Sequence, residues 1–171
     1  MINQKDEAAD HFKSGLLYAS QGSHQEAIKE YSAAIRLDPG NFVLYERRGK
    51  SYSDVMDLEH AFMDYLLCCE QMEQFMKNYS RDIYTPVLPV YVNALNGLAV
   101  LLLILGKENE AIEKLETALK YNPNHAETYG NLGGSYAKLQ DFKKSAEAYS
   151  MTIKLEPNIT EYYFFRGWAY R

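Results

Sequence analysis

Cysteine is almost absent from this chain, and its placement excludes a disulfide framework. The 171 residues include two cysteines, Cys68 and Cys69, which are neighbours. Adjacent cysteines cannot join distant parts of a chain, and the sequence has no third cysteine to pair with either. Packing must therefore stabilise the fold. So few cysteines are typical of a reducing compartment, and we expect a cytoplasmic protein.

Positive charge is also scarce. The chain has 18 Lys and Arg against 23 Asp and Glu, which gives a formal net charge of −5. Nucleic-acid-binding proteins need a basic surface that neutralises phosphates. We therefore expect no nucleic-acid partner.

Residues that usually carry chemistry are few and scattered. The four histidines, His11, His24, His60 and His125, follow no metal-ligand spacing. The sequence contains no glycine-rich phosphate loop. Its polar N-terminus lacks the apolar core of a signal peptide. These observations predict a protein that is not an enzyme and that holds no cofactor and no metal.

What the chain does contain is a glycine followed three residues later by a tyrosine, repeated along its length. The pairs are Gly15–Tyr18, Gly49–Tyr52, Gly133–Tyr136 and Gly167–Tyr170. The first two glycines are 34 residues apart, and so are the last two. The middle interval exceeds two such periods by 16 residues. A fixed period of this length indicates a protein built from stacked repeats.

Other positions keep the same register when each glycine is taken as the eighth residue of a repeat. The repeats are then residues 8–41, 42–75, 92–125 and 126–159, with a partial repeat at 160–171. The twentieth and twenty-seventh positions are small, whereas the twenty-fourth is large. In that order of positions they are Ala27, Ala61, Ala111 and Ser145; Ala34, Cys68, Ala118 and Thr152; and Tyr31, Tyr65, Leu115 and Tyr149. Small residues let two helices approach closely, and large residues fill the space beside them.

This pattern resembles the tetratricopeptide repeat family over nearly the whole chain. The resemblance implies an all-α fold, a right-handed superhelical solenoid of antiparallel helix pairs, with four repeats and one extra helix. It also implies that the whole chain, residues 1–171, forms one solenoid whose concave groove is lined by the first helix of each repeat.

The insertion that breaks the period lies at residues 76–91. Glu73 stands where other repeats have a proline that stops the second helix, so we expect this helix to continue to about Asn78. Pro86 and Pro89 suit a loop followed by a first helical turn. We therefore predict two lengthened helices joined by a loop around Ser80–Thr85.

The third repeat is unusually apolar. Residues 98–105 read Leu-Ala-Val-Leu-Leu-Leu-Ile-Leu, which predicts a helix buried on every face, covered by the insertion, a partner subunit or a ligand. The alternative is a membrane span. Asn93, Asn96 and the two prolines argue against it, and we predict no span.

Positions that line the groove in the family give a mixed surface with an apolar centre. The resemblance assigns to it Phe12, Lys13, Leu16, Glu46, Arg47, Lys50, Asn93, Asn96, Val100, Leu103, Ile104, Asn131 and Lys138. A bound peptide could place apolar side chains on Val100, Leu103 and Ile104 while polar groups fix its register. Ordinary solvated helix surface remains the alternative. The family's chaperone-binding carboxylate clamp matches only at Asn131, so we predict no clamp.

The last helix is aromatic nearly throughout, from Tyr162 to Tyr170. Terminal helices of repeat proteins usually present a polar outer face. A possible terminal interface therefore comprises Tyr162, Phe164, Phe165 and Trp168.

Three functions are compatible with these features. The first is a protein-protein interaction module that binds a protein or peptide. The second is self-assembly into a homo-oligomer through the last helix or the apolar third repeat. The third is service as the N-terminal repeat domain of a longer enzyme or receptor.

Overall fold

The computed structural model describes residues 4–169, and every regular element in that range is helical. The elements are α1 Gln4–Ser20, α2 His24–Leu37, α3 Phe42–Asp54, α4 Leu58–Asn78, α5 Arg81–Tyr84, a 3-10 turn Thr85–Val87, α6 Leu88–Ile104, α7 Glu108–Tyr121, α8 Ala126–Lys138, α9 Phe142–Leu155 and α10 Thr160–Ala169. Apart from the single-turn α5, the helices form sequential antiparallel pairs, which confirms the predicted all-α class.

The chain packs as two compact units, Met1–Gly97 and Leu98–Arg171. The division falls inside α6. In the first unit α2 packs against α1 and α3, and α3 packs against α4. In the second unit α8 packs against α7 and α9, and α9 packs against α10. Within each of these two groups, helices that follow one another in sequence are therefore neighbours in space.

The repeated glycines allow close approach of the two helices of a repeat. A Cβ atom on Gly15 would lie 2.5 Å from the ring of Tyr31. A Cβ on Gly133 would lie 2.5 Å from the ring of Tyr149, and one on Gly49 would lie 3.2 Å from the ring of Tyr65. The tyrosine at the twenty-fourth position thus fills the notch left by the glycine at the eighth. Tyr170 lies outside the described residues.

The turn between the two helices of each repeat has one left-handed residue at the same place. The backbone φ angles are 75° at Gly22, 61° at Met56, 71° at Gly106 and 59° at Gln140. Each is the fifteenth residue of its repeat. This conformation suits glycine and is strained for other residues, so two of the four turns carry strain.

Around the insertion, α4 runs to Asn78, which is the end predicted from the glutamate at position 73. The predicted loop around Ser80–Thr85 is wrong. Arg81–Tyr84 forms one turn of α-helix, which the Thr85 hydroxyl extends by donating a hydrogen bond to the Arg81 carbonyl at 2.6 Å. Pro86 lies in the 3-10 turn that follows, where its missing N–H group leaves no bond unmade.

The apolar helix α6 is less enclosed than its sequence predicts. Leu95, Leu98 and Ala99 are buried. However, Val100 is 38% exposed and Ile104 is 56% exposed, so the described residues do not cover these two side chains, and their burial by a partner subunit or a ligand stays a prediction. The helix instead has an apolar outer stripe.

One stretch, Arg81–Ile104, is long and apolar enough to cross a membrane by length and composition alone. Half of its most apolar window is buried inside the protein. Buried core helices of soluble proteins meet the same criterion, so length and composition alone do not place this stretch in a membrane.

Candidate binding surfaces

A small pocket opens in the first unit beside the facing surfaces of α1 and α3. Its volume is about 210 Å³. It is lined by Leu16, Ala19, Ser20, His24, Tyr31, Arg47, Lys50, Ser51 and Asp54. Three of these, Leu16, Arg47 and Lys50, are among the groove residues that the sequence predicts. The structure therefore brings an apolar residue of the first repeat together with two cations of the second.

A buried carboxylate lies beside these cations. Glu46 is only 2% exposed, and its Oε2 forms an ion pair with Arg47 Nε at 3.2 Å, although neither atom makes a hydrogen bond. Burial raises the pKa of Glu46, whereas the charges of Arg47 and Lys50 and a hydrogen bond with the Asn93 side chain oppose this increase. Four predicted groove residues thus form one electrostatic cluster.

His24 and Asp54 complete the edge of the pocket, and His24 is not among the groove residues that the sequence predicts. His24 Nδ1 is 3.4 Å from Asp54 Oδ2 and has no hydrogen-bond partner. His24 is the first residue of α2 and Asp54 is the last residue of α3. Their positions at helix ends bring them to the same opening, and only the packing of the helices reveals it.

Other predicted groove residues of the first unit lie outside the pocket. Phe12 packs near Tyr31, with ring centroids 6.1 Å apart. Lys13 is exposed and pairs with Asp10 at 3.0 Å. Asn96 is buried, and its side-chain amide donates to the Val92 carbonyl at 2.9 Å. Asn96 is therefore occupied by its own helix.

In the second unit, a lysine joins α8 to α6. Lys138 Nζ donates to the Leu103 carbonyl at 2.6 Å and lies 3.9 Å from Glu108. Leu103 and Asn131 are half-buried, whereas Val100 and Ile104 are exposed. The predicted apolar centre of the groove is thus accessible to solvent. Lys138 contacts it by donating to the backbone carbonyl of Leu103.

A larger cleft of about 630 Å³ lies against the extended part of α4. Its aromatic wall is a chain of three rings, with centroids 5.6 Å apart for Phe42 and Phe75 and 4.5 Å apart for Phe75 and Tyr79. Gln71, which also lines the cleft, donates to the Pro39 carbonyl at 3.2 Å. We did not predict this cleft from the sequence. The residue that indicates it is Glu73, because the absence of a proline there lets α4 continue to Asn78.

The predicted terminal residues divide into two groups. Tyr162 faces inward, because a Cβ on Gly130 would lie 2.6 Å from its hydroxyl. Phe165 stacks on Tyr149 with centroids 5.6 Å apart. Phe164 and Trp168 are 72% and 52% exposed, although the Trp168 ring also packs edge-on against Phe142 with centroids 5.4 Å apart. Phe164 and Trp168 form an exposed aromatic patch.

Nothing in the described residues assembles into a metal site, since no three His, Cys, Asp or Glu side chains converge there. Both cysteines are free and buried. Burial, reinforced by the neighbouring Cys69, raises the pKa of the Cys68 thiol, which keeps it neutral and weakly nucleophilic.

Family models match two stretches of the chain. A model described as TPR repeat matches residues 15–54 and 99–140, and a model described as Tetratricopeptide repeat matches residues 126–159. Together they cover more than half of the sequence.

Among curated proteins, the chain is similar to short segments of much longer chains. It is 25% identical over 139 residues to Anaphase-promoting complex subunit 3 of Schizosaccharomyces pombe, which covers 81% of this chain and 18% of that protein. It is 30% identical over 120 residues to Serine/threonine-protein phosphatase 5 of Mus musculus, which covers 70% of this chain and 19% of that protein. The chain thus spans less than a fifth of either relative.

Solved structures of MamA share the fold. One crystal structure of MamA protein has a TM-score of 0.75 at 22% identity and covers 96% of this chain and 81% of that chain. MamA 41-end from Desulfovibrio magneticus RS-1 has a TM-score of 0.77 at 19% identity and covers 96% of this chain and 84% of that chain. Such identities indicate a shared fold and carry no functional information.

Proposed function

Because the chain belongs to the tetratricopeptide repeat family, we propose that it is a non-catalytic module that binds a peptide or protein partner on the first helices of its repeats. The observation that carries this proposal is the pocket between α1 and α3. It joins apolar residues, Leu16 and Ala19, to the cations Arg47 and Lys50.

The size of the pocket favours one side chain of a polypeptide as its occupant. Its volume of about 210 Å³ is below the roughly 300–1,000 Å³ of sites that enclose a whole small molecule. We propose that an apolar side chain of the partner enters beside Leu16. An acidic group next to that side chain then meets Lys50, which is exposed.

A display library of random peptides tests this proposal, because selection does not require the partner to be identified. Peptides are selected on the wild-type chain and then measured against Leu16→Glu and Lys50→Glu. Leu17→Glu is the matched control, because Leu17 is exposed and does not line the pocket. We expect about tenfold or greater loss of affinity for the first two variants and none for the third. Selected peptides that bind Leu16→Glu and wild type equally would overturn the proposal.

Self-assembly is the second candidate function, and the exposure of Phe164, Trp168, Val100 and Ile104 favours it. Light scattering at increasing protein concentration tests it. A mass that stays at that of one 19.7 kDa chain at high concentration would exclude this function.

A role as the repeat domain of a longer protein is the third candidate function. The chain spans 18% and 19% of the two curated relatives, which supports a role in presenting a partner to neighbouring domains. A cytoplasmic location also remains part of the proposal, supported by the free thiols of Cys68 and Cys69.

A further inference from the structure

Within the first unit, α3 carries three residues that together receive α4. The Tyr45 hydroxyl donates to the Pro39 carbonyl at 3.1 Å, and the Arg48 guanidinium lies over the Tyr45 ring at 5.8 Å. Gly49 follows and leaves a notch in the helix surface. The notch and the cation are therefore side by side.

The second helix of that repeat fills both features. Arg48 donates from Nε and Nη2 to the two carboxylate oxygens of Asp64, each at 2.8 Å. The next residue, Tyr65, puts its ring 3.2 Å from where a Gly49 Cβ would stand. An acidic residue followed by a tyrosine is thus the complement of an arginine followed by a glycine.

The same three residues recur on α10. The Tyr163 hydroxyl donates to the Pro157 carbonyl at 3.2 Å, and the Arg166 guanidinium lies over the Tyr163 ring at 5.6 Å. Gly167 follows Arg166 as Gly49 follows Arg48. The receiving half of a helix pair is therefore present in the second unit.

On α10, however, no described residue covers this arrangement. A Cβ on Gly167 would meet no atom of the described residues within 4 Å. Within the described part of the chain, no carboxylate forms an ion pair with Arg166. Phe164 and Trp168 are exposed beside the notch, on an arc of about 140° that also includes Tyr163 and Gly167.

We propose that this face of α10 is a docking site for an amphipathic helix of a partner protein. The partner helix presents a small residue, an acidic residue and a tyrosine in sequence, followed by a second small residue. The chain's own second helices show the pattern as Ala27, Glu30, Tyr31 and Ala34, and as Ala61, Asp64, Tyr65 and Cys68. The carboxylate pairs with Arg166, and the ring enters the notch at Gly167.

A second copy of the chain is a poorer occupant than a foreign helix. Its helices with this pattern are α2 and α4, and their tyrosines, Tyr31 and Tyr65, are only 1% and 5% exposed. Each ring already fills a glycine notch of its own chain. Neither helix is free to dock without unfolding its own repeat.

Trp168 provides a direct reporter, because it is the only tryptophan in the chain. The probe is a peptide of residues 23–38 with Gln25→Glu joined to Lys29 by a lactam, which holds the helix through two exposed positions. We expect a saturable blue shift of Trp168 emission when the peptide covers the aromatic patch. A peptide with Tyr31→Ala should bind at least about tenfold more weakly.

Gly167→Ala is the decisive variant. The added methyl group meets no described atom in the chain alone, and alanine favours a helix interior over glycine, so α10 should remain folded by circular dichroism. In the complex, the methyl group would collide with the tyrosine ring, and we expect at least about tenfold weaker binding. Gly40→Ala is a control for the added methyl group alone, since a Cβ there also meets nothing within 4 Å and Gly40 lies in the turn before α3.

A charge exchange tests the ion pair separately. Arg166→Glu should weaken binding of the Glu30 peptide, and a peptide with Glu30→Lys should restore it. An undiminished shift in Gly167→Ala, or no shift with any peptide, would overturn the proposal. A blue shift that grows with concentration of the protein alone, together with a doubled mass, would assign the site to a second copy and also overturn it.

Discussion

Arg48 and Asp64 form a two-bond ion pair, with both hydrogen bonds at 2.8 Å, between the two helices of the second repeat. The Asp64 side chain is 4% exposed and that of Arg48 is 18% exposed. Arg48 also donates to the Ser32 hydroxyl at 3.0 Å, so this one side chain ties α3 to both α2 and α4. Arg48 therefore helps to hold three consecutive helices, α2, α3 and α4, together.

Asp64→Asn should destabilise the protein, because it leaves the Arg48 charge buried without its partner. The expected loss of unfolding free energy is about 3 kcal/mol. Urea denaturation measures it. The double variant Arg48→Met with Asp64→Leu should recover most of the loss, since it removes both charges. If the double variant is less stable than Asp64→Asn, the penalty does not arise from an uncompensated charge.

Gly133→Ala should destabilise the second unit, because its methyl group would lie 2.5 Å from the Tyr149 ring. We expect a loss of about 1–3 kcal/mol from the displaced packing. The adjacent Gly134 provides the control, since a Cβ there would lie an ordinary 3.7 Å from the Tyr149 hydroxyl. Gly134→Ala should be neutral or stabilising by up to about 1 kcal/mol through helix propensity. Equal changes in melting temperature for the two variants would contradict the close contact between Gly133 and the Tyr149 ring.

Met56→Gly should stabilise the protein, although it shortens a side chain. Met56 has a φ of 61° and is exposed, so the change relieves left-handed strain and removes little packing. The expected gain is about 0.5–1 kcal/mol after the greater flexibility of glycine in the unfolded chain is subtracted. Gln140→Gly should behave alike, whereas Gly106→Ala should destabilise. A destabilised Met56→Gly variant would show that the methionine side chain is needed.

The buried carboxylate of Glu46 should make stability depend on pH. Burial raises its pKa above the usual value of 4.5, so the folded protein holds this proton more tightly than the unfolded chain. The resulting stabilisation is complete below about pH 4.5 and is lost as the pH rises through the raised pKa. Each pKa unit corresponds to about 1.4 kcal/mol.

The measurement is the unfolding free energy of wild type relative to Glu46→Gln across pH. The difference should fall as the pH increases above about 4.5, because glutamine carries no titrating proton. Glu113→Gln is the control, since Glu113 is exposed on α7. A difference that rises with pH would mean that Arg47 and Lys50 outweigh burial, with the pKa lowered.

Much of the architecture follows from local sequence. The 34-residue interval, from Gly15 to Gly49 and again from Gly133 to Gly167, marks the repeats. The two helices of each repeat pair because the glycine of the first contacts the tyrosine of the second. The end of α4 at Asn78 follows from the glutamate at position 73, since only proline would have stopped the helix earlier. Such features depend on residues within one repeat.

Other features were decided only by tertiary packing. The sequence of α6 does not show that Val100 and Ile104 are exposed while Leu98 is buried, because every face of that helix is apolar. Similarly, His24 and Asp54 meet only because the ends of α2 and α3 converge. The likeness of Arg166 to Arg48 can be found in the sequence, but whether a carboxylate covers the arginine depends on which helix packs there.

The sequence by itself determined the repeat and its helix pairs, since these depend on spacing along the chain. The tertiary structure decided which surfaces remain open, because exposure depends on what each helix packs against.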